Sequence, residues 1–136
     1  MNTFLKSGDR QEGYDCISQI VQLGDFFCFS GQCGWGRTFH EQCVNACYQV
    51  QEVLYEFDLR FDHVLSFTVY LTDISLKEEF LSVFTNFLEA PYPSATIVEV
   101  SALDTEDAMI CIAGSGVNTL RHERSMKDAY CEDCDR

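Results

Sequence analysis

Gly24-Asp-Phe-Phe-Cys-Phe-Ser-Gly-Gln32 limits the fold of this chain more than any other segment, because an apolar run enters Ser-Gly-Gln without a polar break. Such a run needs burial in a sheet, and the glycine behind it bends or ends the strand, leaving a hydroxyl at the sheet's mouth. Residues 17–23 and 25–30 therefore read as two strands joined at Gly24 in a short hairpin.

Gly31, Gly34 and Gly36 surround Trp35 in a loop that ends at Thr38, and Glu41 three residues on completes a capping-box pattern. Behind it Phe39, Cys43, Ala46, Cys47, Val50, Val53, Leu54 and Phe57 recur at three- and four-residue steps, which predicts an amphipathic helix. Residues 64–73 alternate instead. Leu65, Phe67, Val69 and Leu71 fall on one side and Ser66, Thr68, Tyr70 and Thr72 on the other, as in a strand with one buried face. Ser75 with Glu78 marks the start of a second helix, striped by Leu76, Phe80, Val83, Phe84 and Phe87 and stopped by Pro91 and Pro93. Strands at about 95–103 and 108–117 follow. The order ββαβαββ predicts an α+β sheet with both helices on one face.

The length and the 46% hydrophobic content suit one domain, placed at 16–118 after a polar arm at 1–15. Residues 119–136 are too poor in apolar side chains for a core and read as a flexible charged tail. Nine basic against 22 acidic residues leave a net charge of -13, which repels phosphate backbones and anionic lipid, so neither nucleic acid nor membrane is an expected partner. With no signal-like segment and no long apolar run, a soluble cytoplasmic protein with reduced, mostly structural cysteines is expected.

Taken in order, Ser30-Gly-Gln32, Phe39-His-Glu-Gln42, the strand Val64 to Asp73, and Pro91-Tyr-Pro93 leading into Thr96-Ile-Val-Glu-Val100 carry a resemblance. Over about residues 17–117 the chain resembles the YjgF-type or Rid family of enamine/imine deaminases, also called L-PSP endoribonuclease-like. The resemblance implies a chorismate-mutase-like fold and a homotrimer whose three sheets enclose a barrel, with small-molecule pockets at the subunit clefts. It implies no cofactor and no metal.

The resemblance also implies which residues line the cleft: Ser30, Gly31, Cys33, Tyr14, Ile17, Leu81, Ala95 and Ile112. In that family an arginine after the proline grips the substrate carboxylate, but its place in Pro93-Ser-Ala-Thr96 is taken by Ala95, which has neither charge nor fork. The family's water-holding glutamate in the last strand falls on Ile112, an asparagine of the second helix on Leu81, and a tyrosine ahead of the first strand on Ile17, with Tyr14 close by. No residue is assigned to catalysis. Cys33 lies beside Ser30 without a histidine placed to activate it. His40, Cys43 and Cys47 share a helical flank at ligand-like spacing, yet two of them belong to the apolar stripe, and Cys131-x-x-Cys134 lacks a second pair. The expected protein is a Rid-like trimer that binds a small neutral or aromatic metabolite, with its imino-acid deaminase site eroded. The alternative is an active deaminase of a neutral or aromatic imine.

Overall fold

A computed structural model describes residues 2–134, with side chains described through residue 127. Six strands form one sheet: β1 (Lys6–Ser7), β2 (Ile20–Leu23), β3 (Phe26–Gln32), β4 (Val64–Leu71), β5 (Ser94–Glu99) and β6 (Ile110–Val117), in the order β1-β2-β3-β6-β4-β5. The β4–β5 pair is parallel and the other pairs are antiparallel. Helices α1 (Phe39–Tyr55) and α2 (Lys77–Phe84) pack on one face of it, the α+β arrangement that the sequence pattern predicts, and α3 (Leu120–Cys134) ends the fold.

One apolar layer joins the sheet to α1 and α2. Phe27, Phe67, Val69, Leu71, Ile110 and Ile112 from the strands meet Cys43, Ala46, Cys47, Val50 and Leu54 of α1 and Phe80, Val83 and Phe84 of α2. Phe67 is the hub, with ring centroids 6.2 Å from Phe29, 5.9 Å from Phe61 and 5.1 Å from Phe84; the first and last are edge-on contacts that add to area burial. Glycines in β6 make room for this layer. A Cβ at Gly114 would lie 2.8 Å from both the Phe29 ring and the Ser66 carbonyl oxygen, and one at Gly116 would strike the Phe27 ring at 2.8 Å.

Thr38 caps α1 as its pattern predicts: its hydroxyl accepts from Glu41 N at 3.1 Å while the Glu41 carboxylate accepts from Thr38 N at 3.4 Å. Before α2 the cap is Asp73, not Ser75. The Asp73 carboxylate accepts from Ser75 N at 3.0 Å and holds a single 3-10 turn, Ile74–Leu76, that precedes the helix.

Two one-residue bulges break the ladders. Phe29 pairs with Gly114 but Gln32 with Ile112, so β3 carries one extra residue at Ser30-Gly31. In β4, Val64 pairs with Gly116 and Ser66 with Ser115, which makes Leu65 the extra residue. Leu65 is 59% exposed and leaves the row of Phe67, Val69 and Leu71, where strict alternation would keep it.

The polar arm contributes β1, whose two residues pair with Val21 and Gln22; they are too few and too polar to register as a strand pattern. The charged segment after Asn118 is helical. Asn118 Oδ1 accepts from Leu120 N at 3.0 Å, and Glu123 ties the helix down by accepting from Arg60 at 2.9 Å and His63 Nε2 at 3.1 Å. His63 Nδ1 accepts from Arg60 N at 2.9 Å, so the Nε2 proton is the one that faces Glu123. Cys131 and Cys134 have side chains outside the described residues.

Ile112, assigned by spacing to a cleft glutamate, is fully buried among the core residues, because its alternation with Cys111 and Ala113 points it to the helix side. Cys111, which pairs with Tyr70, and Ala113, which pairs with Thr68, are the β6 positions on the opposite face. Ile112→Glu is accordingly expected to abolish cooperative folding, since an unpaired buried carboxylate costs on the order of 5 kcal/mol. Ala113→Glu should keep the native circular dichroism; equal loss of structure in both variants would refute this assignment of faces.

Hydrogen bonds from His63 first, and from Arg60, hold the Glu123 carboxyl below its usual range. A depressed folded-state pKa gives stability that is present above the unfolded value of about 4.3 and lost as pH falls through the folded one. Glu123 is partly exposed, so its contribution is below about 1 kcal/mol. Urea unfolding at pH 7 and below pH 4 should show a smaller acid loss for Glu123→Gln than for the parent chain, and identical losses would rule out this linkage.

Candidate functional site

The bulge at Ser30-Gly31 organises the end of the sheet where β3 exits. Ser30 N donates to the Gln19 carbonyl at 2.8 Å and Ser30 Oγ donates to the Ser18 carbonyl at 2.9 Å, so the hydroxyl proton holds the segment that leads into β2. The extra residue also changes which side chains face the helices. Without it Gln32 would point away from α1; with it Gln32 is buried, and its Oε1 accepts from Gln49 of α1 at 3.3 Å.

Around Gln32 lies a set of neutral amides. Gln32 Nε2 donates to Gln11 Oε1 at 2.9 Å and to the Ser30 carbonyl at 2.8 Å, while Gln11 Nε2 donates to the Gly31 carbonyl at 2.8 Å. Gln42 joins two loops: its Nε2 donates to the carbonyls of Gly36 at 3.2 Å and Asp107 at 3.1 Å, and its Oε1 accepts from Met109 N at 2.8 Å. Buried amides with every group paired are rigid, because breaking one partner leaves the other desolvated and unsatisfied.

These groups border a cavity of about 280 Å³. Gln11, Gln19, Gln32, Gln42 and Gln49 supply its hydrogen-bonding groups, Trp35 an aromatic wall, and Cys33 a thiol; its charged residues are Glu12, Glu106 and Asp107, with no lysine, arginine or histidine among the described residues that line it. The Tyr14 hydroxyl meets the Asp104 carboxylate close by in sequence to this loop. A larger groove of about 840 Å³, beside Tyr48, Tyr55 and Phe87, contains none of the cleft residues that the sequence suggests.

Cys33 stands one step beyond the Gln32–Ile112 pair that ends the ladder, and continuing that register sets it opposite Cys111. The Cys111 sulfur lies over Gly31, close to the Cys33 thiol. The Cys111 thiol, followed by the Thr105 hydroxyl, brings Cys33 down to about 7 against the opposing effect of burial. Cys111 moves the other way, raised by its bond to Cys33, by burial, and by the nearby negative charge of Cys33 and Asp104. The lowering at Cys33 thus comes from a second cysteine and not from a histidine. Cys43 and Cys47 lie fully buried in the core, where desolvation pushes both thiols up to about 12, whereas His40 is exposed; the three do not converge.

Of the residues suggested by sequence, Cys33 lines the cavity, and Ser30, Gly31, Tyr14 and Ile17 lie around it through the bonds above and the Gln11 N to Ile17 carbonyl contact of 2.7 Å. Leu81 sits half-exposed on α2 and Ile112 is in the core. Ala95 is exposed on β5, three strand positions from β3, so within one chain it is about 14 Å from Ser30. The glutamines were not singled out by sequence as cleft groups. Their signal was Gln42 and Gln49, seven residues apart on one flank of α1, at positions that the apolar stripe would otherwise fill.

Residues 13–115 match the family model described as endoribonuclease L-PSP. A YjgF/YER057c/UK114-family protein of Mycobacterium tuberculosis is 21% identical, with 83% of this chain and 98% of that chain covered at a TM-score of 0.75. RidA from the Antarctic bacterium Psychrobacter sp. PAMC 21119 is 23% identical over 84% and 98% at a TM-score of 0.74, and yeast Mmf1 is 19% identical over 84% and 98% at 0.77. Among curated proteins none matches. The family model spans most of the chain, and the solved structures share its fold: this chain belongs to the YjgF/Rid, or endoribonuclease L-PSP, family.

Proposed function

We propose that this protein is a homotrimer that binds a small uncharged metabolite at its subunit clefts, with the imino-acid deaminase site of its relatives eroded. The observation that carries this reading is the charge of the cavity. Its charged side chains are three carboxylates, Glu12, Glu106 and Asp107, with no cation among its lining residues. A 2-imino acid is an anion at neutral pH and would be repelled there. Ala95 offers no guanidinium to offset that repulsion, and the outward β6 positions, Cys111 and Ala113, offer no carboxylate to hold a hydrolytic water.

The amides favour a ligand that both donates and accepts hydrogen bonds, and Trp35 suits one with a flat face. This lining is more polar than the sequence alone suggests, since Ile112 and Leu81 do not contribute to it. Ser30 and Ala95 are too far apart in one chain to share a ligand, and a neighbouring subunit's β5 would close that gap. The same carboxylates and the net charge of -13 oppose a phosphodiester, so endoribonuclease action is not part of this reading.

Light scattering at micromolar concentration should give three times the 15.5 kDa chain mass, and a monomer would remove the shared cleft. Ligand-observed NMR with matched pairs, a 2-oxo amide against the corresponding 2-oxo carboxylate, should show binding of the amide alone. Preferential binding of the carboxylate overturns the proposal. Hydrolysis of 2-iminopropanoate should not exceed the buffer rate, and Ala95→Arg should restore carboxylate binding without restoring hydrolysis.

A further inference from the structure

We infer that Cys33 and Cys111 form a peroxide-reactive dithiol, in which Cys33 attacks the oxidant and Cys111 closes a cross-strand disulfide. The assignment rests first on register. Cys33 follows directly on the Gln32–Ile112 pair that ends the β3–β6 ladder, and one further step of that register sets it opposite Cys111, where Cα atoms would lie about 4.5 to 5.5 Å apart, within the span that a disulfide bridges. The bulge at Ser30-Gly31 is what brings Cys33 to this side. Gly31 is equally necessary, because a Cβ there would collide with the Cys111 sulfur.

Access is the second observation. Cys33 lines the cavity, and both thiols are partly exposed, whereas Cys43 and Cys47 are sealed in the core. The depressed Cys33 pKa, near 7, supports the same direction of attack: Cys33 carries the thiolate and Cys111 keeps the proton.

The chemistry balances with a peroxide as the only co-reactant. The Cys33 thiolate attacks one peroxide oxygen, the O–O bond breaks, and the departing hydroxide takes a proton from solvent; Cys33 becomes a sulfenic acid. Cys111 sulfur then attacks the Cys33 sulfur, the S–O bond breaks, and the leaving hydroxide takes the Cys111 proton. Two thiols and one peroxide give one disulfide and two waters.

The surroundings select the oxidant. Glu12, Glu106 and Asp107 border the cavity and Asp104 acts on Cys111, so the charged groups described around the two thiols are all negative. Anionic oxidants such as glutathione disulfide are repelled, while hydrogen peroxide or a small alkyl hydroperoxide enters without charge.

The test uses the reduced full chain, which holds eight cysteines. One equivalent of hydrogen peroxide should consume two thiols per chain, and peptide mapping after alkylation should find Cys33 joined to Cys111. In Cys111→Ser, dimedone should trap a sulfenic acid on Cys33. In Cys33→Ser, labelling of Cys111 should fall about tenfold, in line with its smaller thiolate fraction. On the unmodified chain, which needs no variant to fold, the pH profile of Cys33 alkylation by iodoacetamide should have its midpoint near 7. Cys111→Ala should move that midpoint toward the ordinary thiol range of about 8.5. A bond between any other pair or between chains, dimedone on Cys111 in preference to Cys33, or a parent midpoint at the ordinary value would each overturn the inference. Faster closure by glutathione disulfide than by equimolar peroxide would overturn the choice of oxidant.

Discussion

The insertion of β6 between β3 and β4 is the constraint on which the rest of this structure depends. It is the last strand in sequence yet lies between β3 and β4, antiparallel to each. Its inward residues Ile110 and Ile112 complete the core, and Gly114 and Gly116 leave space for the rings of Phe29 and Phe27. Through its pairing with β3 the same strand sets Met109 against Gln42 and Cys111 against Cys33. Core, loop anchoring and thiol pair are therefore fixed by one register.

Elements that bury one regular face were legible in the sequence. The stripe of α1 from Phe39 to Leu54 and its Thr38–Glu41 capping box appear where their spacing puts them, because helix period and cap chemistry are local. The alternation of β4 was legible from Phe67 onward and failed at Leu65, since a bulge adds one residue without any local signature. Edge strand β1 and helix α3 were not legible. Each gains its order from partners distant in sequence, β1 from Gln22 and Val21, α3 from His63 and Arg60.

At the candidate site the same limit appears more sharply. Ser30-Gly31 read as turn chemistry, and the Ser30 hydroxyl does hold a backbone carbonyl. The consequence of the bulge, that Gln32 turns inward and Cys33 meets Cys111, requires counting residues on two strands at once. Assigning the glutamate position to Ile112 failed for the mirror reason: in a strand, an error of one residue exchanges core for outer face. On the outer face, the neighbouring β6 residues Cys111 and Ala113 are not carboxylates either.

Electrostatics makes the two halves of this site dependent on each other. A carboxylate at residue 111 would replace the donor that stabilises the Cys33 thiolate, and one at residue 113 would bring negative charge to the same outer face. Either change raises the pKa of Cys33, since an anion beside a thiol disfavours its ionisation. The cavity already holds Glu12, Glu106 and Asp107 with no cation among its described lining residues, so the lowering at Cys33 rests on Cys111 first and then on Thr105. A water held by a β6 carboxylate and a reactive thiolate at Cys33 are thus competing uses of one small patch of sheet. In this chain the patch carries cysteine and alanine and no carboxylate.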